Sequence, residues 1–514
     1  MLTSLEELLS EYSLAMREGQ AALFVGAGMS TPVGLPDWKE LLTSCAAALD
    51  LDIERESDLI AVAQYYINGR GNRSDLNQIL RREFDKPRHP TPSHHIIAKL
   101  PISTIWTTNF DKVMEQALSE GKKRFDIRSK DADFARARKG EVVLYKMHGD
   151  IDDPNEVVLS ESDYERYTKT HPIFQNALEG DLITKTFLFL GFSFTDRNLS
   201  YMLAGLRSVL GDSKRVHYAI MRKERLNWPD THPDAEKEFL HRSRKQELHV
   251  ENLMMRYGIH TLLLDSYKQV PRVLNELKSR FRKGTVLVSG NTSGRGGYGP
   301  ERLKELCRQL GARLMERDMK VLADFRTDVG RALLNGALQE LDENGRLSAA
   351  ESRLRSLPGG LRADENETRF DEACRNNMAR DSGFAIFVGD SRPNDSELLY
   401  EFNKASDEQT FLIPIGVSGP ASHRIWKKVV PFLEDDLLKQ MFERLNDSTL
   451  GESQVVDAVF DIIGTISKKA PNIGSREPAT LMNREFFVRM MKQFPSLPPD
   501  KIRRIMAASA QTEE

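Results

Sequence analysis

Short apolar runs recur along the first half of the chain, each too brief for a buried helix. "AALFVGAG" (21–28), "STIWTTN" (103–109), "VVLYKMHGD" (142–150), "TFLFLGFSF" (186–194), "VHYAI" (216–220) and "HTLLLD" (260–265) read as buried strands. Between them "DLIAVAQYYI", "DKVMEQALSE" and "DRNLSYMLAGLRSVL" carry apolar residues at helical spacing. Wholly apolar strands alternating with helices predict a mostly parallel sheet covered on both faces. The stretch from Leu35 to Pro101 is long for one crossover and predicts an inserted helical module over the sheet edge. The basic "KSRFRKG" (278–284) ends a helix at Gly284, and the alternation then restarts. "TVLVSG" (285–290), "MKVLADF" (319–325), "FAIFVGD" (384–390) and "TFLIPIG" (410–416) predict a second, smaller α/β domain. Between its second and third strands, residues 341–370 are polar and partly loop-like. From about Pro471 the pattern is that of a helical appendage with two proline-marked turns. The expected domains are therefore 1–283, 284–468 and a helical extension over 469–514.

Composition narrows this picture without redirecting it. At roughly 150 residues per domain, 514 residues are too many for one core. The formal net charge is −3 with acids and bases interspersed, so charge gives no reason to expect a nucleic-acid partner. The three cysteines, Cys45, Cys307 and Cys374, are far apart and form no CxxC, which supports neither a zinc ribbon nor a disulfide framework. "MLTSLEELLSEYS" is acidic and amphipathic, unlike a signal peptide. The longest apolar run is far short of a bilayer span. A cytoplasmic protein with no membrane partner is the expectation.

Four segments carry candidate chemistry, and each follows an apolar strand. In "FVGAGMS" (24–30), Gly26 and Gly28 permit close backbone approach, and a following helix amino terminus would offer N–H groups to a pyrophosphate. A plain strand-to-helix turn explains the same residues. "STIWTTNFDKV" (103–113) ends a strand in small polar side chains. Asp111 could cap the next helix and Asn109 could tolerate a tight turn. Equally, ligands of open α/β sheets sit at the carboxyl ends of strands. "KMHGD" (146–150) places His148 and Gly149 at such an end, and "GFSFTD" (191–196) supplies a fourth. Asp196 and Asn198 read equally well as helix caps.

Together the four segments resemble the sirtuin fold family. Its GAG-x-S loop matches Gly26-Ala27-Gly28-Met29-Ser30, followed by Thr31. Its second motif matches Thr108-Asn109-Phe110-Asp111, its catalytic His-Gly matches His148-Gly149, and its G-x-S matches Gly191-Phe192-Ser193. Thr108 stands where the family has glutamine, and the four-cysteine zinc module of protein deacylases is absent. The resemblance implies NAD+ as substrate, bound by Gly26, Ala27, Gly28, Ser30, Thr31, Asn109, Asp111, His148, Gly191 and Ser193. Asn109 and Asp111 are then expected to face the nicotinamide-side ribose and carboxamide. The nicotinamide–ribose bond already has a cationic leaving group, so the leaving group needs no protonation, unlike an ordinary glycoside. Asn109 can orient a water or ribose hydroxyl, and His148, with an ordinary pKa near ~6.5, can accept a proton. The expected catalytic residues are thus His148 and Asn109, with no metal.

In the second domain, "VLVSGNTSGRGGYG" (286–299) again puts glycines after a strand, which alone would be a flexible loop. "ADFRTDVGRALLNGALQE" (323–340) adds a turn with Gly330 near a helix start. Arg375, Arg380 and Arg392 surround a strand, and Glu401 lies on the next helix. Arginine forks suit phosphates and a carboxylate suits ribose hydroxyls, though surface salt bridging explains arginines as well. The arrangement resembles the SLOG family of Rossmann-like nucleotide sensors. A sirtuin-like domain with a helical insertion followed by SLOG, two Rossmann-like α/β domains, is similar to the NAD-hydrolysing effectors of Thoeris antiphage systems. The match covers about residues 1 to 465 and includes "VAQYY", "YKMHGD", "GDLITKTFLFLGFSFTD" and "RKQEL". That resemblance implies a TIR-domain partner enzyme whose cyclic ADP-ribose isomer binds the second domain and switches on NAD depletion. Its ligand residues fall on Ser289, Gly290, Phe325, Arg375, Arg392 and Glu401, with Arg392 standing where the family has lysine. It also implies a homo-oligomer, a tetramer or higher. An NAD-dependent protein deacylase and a non-catalytic nucleotide sensor are the competing readings.

Overall fold

The computed structural model describes residues 3–135, 140–194, 199–200, 202–205, 211, 215–225, 235–291, 298–356, 378–389 and 396–468. The chain forms two compact units, Met1–Lys278 and Ser279–Glu514. The division falls inside the helix Val270–Lys283, not after it.

The first unit is built on seven strands in the order β3-β4-β2-β1-β5-β6-β7. They are β1 (Ala21–Val25), β2 (Thr104–Thr107), β3 (Phe125–Arg128), β4 (Val142–Lys146), β5 (Thr186–Leu190), β6 (His217–Arg222) and β7 (Ile259–Leu264). Every neighbouring pair is parallel. The two central strands, β1 and β5, are buried at every position. That is why their sequences, Thr186 apart, are apolar instead of alternating. From β1 the chain first builds the β2 side of the sheet and later returns to build the β5 side. The strand order therefore reverses between β1 and β5, where doubly wound sheets place their ligands.

The inserted module consists of helices Trp38–Ala47, Leu59–Arg70, Ser74–Phe84 and Pro92–Lys99. Its apolar residues Leu41, Leu42, Val62, Leu76 and Leu80 share one core with Phe110 and Val113, after β2, and with Ile151, Val157 and Leu159, after β4. The module thus packs on the loops at the strand ends, not over the sheet edge as the pattern suggested. Edge strand β3, with Asp126 and Arg128 alternating with apolar residues, was not foreseen from the sequence.

The second unit holds five parallel strands in the order β10-β9-β8-β11-β12. These are β8 (Thr285–Asn291), β9 (Lys320–Ala323), β10 (Leu354–Ser356), β11 (Phe384–Gly389) and β12 (Phe411–Pro414). Here too the order reverses, between β8 and β11. Strand β10 lies in the polar stretch expected to be partly loop-like. Helices Pro300–Glu316 and Asp328–Glu343 meet through glycines: a Cβ on Gly311 would lie 2.0 Å from the Leu333 carbonyl oxygen, and one on Gly336 1.9 Å from that of Arg308. Both chains of apolar side chains close over one core, in which Leu306, Leu310, Leu333, Ile386 and Val459 are fully buried. The expected extension over 469–514 lies outside the described residues. Among the described residues no helix is long and apolar enough to cross a membrane.

Candidate active site

The turn after β1 is not the helix start expected from its glycines. Two 3-10 turns, Ala27–Met29 and Thr31–Val33, follow in succession, and the next α-helix begins only at Trp38. The physical reason lies in the next residues: Gly34 turns left-handed at φ 77°, and Pro36 blocks helical continuation. What the glycines provide is proximity. The Gly26 N–H donates to the Leu190 carbonyl at 2.9 Å and the Gly28 N–H to the Gly191 carbonyl at 3.0 Å. A Cβ on Gly26 would sit 2.4 Å from the Gly191 oxygen, and one on Gly191 2.6 Å from the Met29 nitrogen. Gly191 itself has φ 63°. The β1 and β5 loops are therefore locked backbone against backbone at the reversal point, with Gly28 and Thr31 exposed and Ala27 half-buried. Ser193 is exposed one turn beyond, while Asp196 and Asn198 lie outside the described residues.

The turn after β2 is tied to this lock from the other side. The Thr107 hydroxyl donates to the Val25 carbonyl at 2.8 Å and accepts the Asn109 N–H at 3.0 Å. The Asn109 amide nitrogen donates to the Gly26 carbonyl at 3.1 Å and to Ser30 Oγ at 2.9 Å. Both amide hydrogens are thereby committed, and Oδ1 is the atom left for a ligand. Ser30 Oγ donates to Asp111 Oδ2 at 2.6 Å, and Asp111 Oδ1 accepts the Val113 N–H at 2.9 Å. The helix Val113–Glu120 begins there, so the capping role foreseen for Asp111 is real, one residue ahead of the cap position. Asp111 is 6% exposed with both oxygens engaged. Its carboxylate orients Ser30 on one side and starts the next helix on the other.

His148 follows the next strand over, β4, and its ring is enclosed at 1% exposure. Tyr164 and Tyr167 present their rings edge-on to it at 5.6 Å and 6.3 Å. The Tyr167 hydroxyl donates to the Met147 carbonyl at 3.0 Å, fixing the backbone beside the histidine. Gly149, at φ 86°, leaves no room for a side chain: its Cβ would lie 2.8 Å from the Glu156 carbonyl. Behind His148, His171 stacks on Tyr167 at 4.7 Å, and burial lowers its pKa below the ordinary value.

Gly26, Ser30, Asn109 and Asp111 thus form one hydrogen-bonded set, Gly28 and Gly191 join it through the backbone, and His148 stands on the adjoining strand end. Sequence reasoning missed Thr107, although the doubled threonine was its signal, and missed Lys146, which anchors the same turn from beneath. Among the described residues no three His, Cys, Asp or Glu side chains gather as a metal site.

In the second unit Ser289 and Gly290 lie near the end of β8, where a Cβ on Gly290 would lie 2.0 Å from the Val388 carbonyl. The Gly389 N–H, at the end of β11, donates to Ser418 Oγ at 2.8 Å. Phe325, just past β9, is half-buried against the core, and Glu401 is half-buried on the helix Ser396–Asp407. Arg380 is exposed and pairs with its neighbour Asp381 at 3.4 Å, the surface reading of an arginine. Arg375 and Arg392 lie outside the described residues.

Two parallel sheets in series, the first with glycine-locked loops at its reversal point, place the chain in the class that joins a SIR2-like domain to a SLOG domain. A SIR2-like domain matches residues 103–249, and the Sir2- and TIR-associating SLOG family matches residues 269–466. The first match begins after the β1 loop, which the hydrogen bonds above join to it. The chain belongs to the family of the NAD(+) hydrolase ThsA. It is 33% identical to NAD(+) hydrolase ThsA of Bacillus cereus (strain MSX-D12) over 477 residues, 90% of this chain and 98% of the relative. The protein of that name from Cytobacillus dafuensis is 32% identical over 480 residues, 90% and 97% of the two chains. That of Acinetobacter baumannii (strain 532279) is 32% identical over 471 residues, 88% and 97%.

Proposed function

We propose that this chain hydrolyses NAD+ to nicotinamide and ADP-ribose as a ligand-gated effector of a Thoeris-type antiphage defence system. The observation that carries the reading is the set Gly26, Ser30, Asn109 and Asp111 at the strand reversal, beside His148. The exposed backbone at Gly28 offers a close approach for a pyrophosphate, because no side chain stands over it. At the reacting end, the bond from ribose C1′ to the nicotinamide nitrogen breaks and its electron pair neutralises the pyridinium. A water oxygen then bonds to C1′, and the proton it loses passes to His148 and on to solvent. Asn109 Oδ1 accepts from that water or from a ribose hydroxyl and holds it in line. Deacylation would require the zinc-supported acyl-lysine cleft, and three scattered cysteines do not supply that module.

The gate belongs to the second unit. A cyclic ADP-ribose isomer, made by a TIR-domain partner enzyme, binds at the carboxyl ends of β8, β9 and β11, near Ser289, Gly290, Phe325 and Glu401, with Arg375 and Arg392. The enclosure of His148 supports a gate, because substrate reaches that ring only if the residues over it move. The working form is a cytoplasmic homo-oligomer, a tetramer or higher. The test is nicotinamide release from NAD+ by the purified full-length protein, with and without cyclic ADP-ribose isomers. Release is expected to rise with one isomer and to fall at least ~100-fold in His148→Ala and in Asn109→Ala. Steady release without any isomer would keep the hydrolase and remove the gate. Bound NAD+ with no release under any condition would sink the hydrolase reading.

A further inference from the structure

Strand β4 ends, two residues before His148, on a lysine that solvent does not reach. Lys146 is 1% exposed. Its Nζ donates to the Phe110 carbonyl at 3.1 Å and the Asp111 carbonyl at 2.6 Å. It also meets Glu115 Oε1 at 2.7 Å and Asp150 Oδ2 at 2.8 Å. Three ammonium hydrogens therefore serve four acceptors. The two carbonyls belong to the turn that carries Asn109 and Asp111, and Asp150 lies two residues past His148. Lys112 takes the other oxygen of Asp150 at 2.7 Å.

General stability does not explain this charge. A buried ammonium carries a large desolvation cost, and an apolar side chain of similar volume in the same strand would avoid it. Nor does helix stability: Glu115 sits in the first turn of Val113–Glu120, and a cation near a helix amino terminus works against the helix dipole. Burial alone would raise the Asp150 carboxyl, but Lys146, the Asp152 N–H and Lys112 together outweigh it and hold it below its ordinary range. Glu115, more deeply enclosed, is raised by burial against the pull of Lys146. What the ammonium does accomplish is geometric. It joins the backbone that follows Asn109 to the loop that leaves His148, at the carboxyl ends of the neighbouring strands β2 and β4.

We propose that Lys146 is a positioning residue for NAD+ hydrolysis, its ammonium fixing the Asn109–Asp111 turn against the His148 loop so that Asn109 and His148 address the same ribose. The inference rests on the hydrolase reading of this site. It is tested on the full-length protein as Lys146→Met and as Lys146→Met/Glu115→Gln, the second variant removing the carboxylate that the first abandons. Nicotinamide release is followed beside wild type with cyclic ADP-ribose isomers present. Lys146→Met is expected to lower kcat at least ~10-fold while KM stays within about threefold, because the lost alignment matters chiefly in the transition state. The double variant is expected to regain thermal stability without regaining kcat. Recovery of kcat together with thermal stability would show a merely structural lysine and overturn the proposal, as would a Lys146→Met kcat within about twofold of wild type. If the single variant fails to fold, the double variant alone decides, by the same kcat criterion. Wild-type turnover in the same assay tests the hydrolase reading by itself. Should wild type release no nicotinamide, amide exchange decides the positioning claim. Exchange over residues 108–113 is expected to quicken at least ~10-fold in the double variant, with β5 unchanged, and unaltered exchange there overturns it.

Discussion

Asp111 joins the two readings of the TTNFD segment in one side chain. One oxygen caps the helix that follows and the other holds Ser30, so removing the carboxylate would loosen both a helix start and a ligand loop. Nearby, His94 is 1% exposed and meets Thr91 Oγ1 at 2.8 Å. Burial lowers its pKa to about 4, against the opposing pull of Asp111. His217 is held by burial at about 3. In the unfolded chain both return to an ordinary value near ~6.5. Between those limits the unfolded state binds protons that the folded state refuses, so stability falls as pH falls. Each histidine contributes up to about 1.4 kcal/mol per pH unit to that fall. Thermal unfolding of the first unit is expected to shift down steadily from about pH 6.5 to about pH 4. His94→Gln/His217→Gln should flatten the profile. An unchanged slope would mean that these rings are solvated in solution.

At the scale of elements, close backbone approach sets what each substitution costs. Gly26→Ala would drive a methyl group into the Gly191 carbonyl. The β1 and β5 loops must then part, and NAD+ hydrolysis is expected to drop at least ~10-fold with KM rising. Gly311→Ala forces apart a helix pair of the second unit and should cost that unit about 1–3 kcal/mol, read as a lower thermal midpoint, with NAD+ binding intact. The strands that position these glycines were legible in the sequence, because β1, β2, β4 and β5 are short, mainly apolar runs. Strand β3 was not: FDIR is four residues long and alternates apolar with charged residues, which reads as a polar loop until Asp126 and Arg128 pair on the sheet edge. Strand β10 has only three residues. The GAG segment promised a helix because glycine turns often precede one, yet Pro32, Gly34 and Pro36 already argued against it. Lys146 lies within KMHGD, but a lysine at a strand end ordinarily reaches solvent. Its burial depends on Glu115 and Asp150 arriving from other elements, which no local pattern encodes.

For the whole molecule, the two units have separate cores, one around Phe24, Trp106 and Phe187 and the other around Leu306, Leu333 and Ile386. Calorimetry is expected to resolve two transitions. In the His148→Ala protein, which spares the substrate, NAD+ at about 100 times its Kd should raise the first by about 2.7 kcal/mol of stabilisation and leave the second in place. A binding cyclic ADP-ribose isomer should raise the second. A single cooperative transition would show that the units melt as one body.

The glycine lock also constrains descent. The backbone of each loop occupies the space that the other's side chain would need, so neither Gly26 nor Gly191 can change first without penalty. A lineage that replaces one must already carry a displaced partner loop, and that displacement has no use of its own. Single mutational steps out of this arrangement are therefore expected to be costly, and the two glycines to be kept or replaced together as though they were one character.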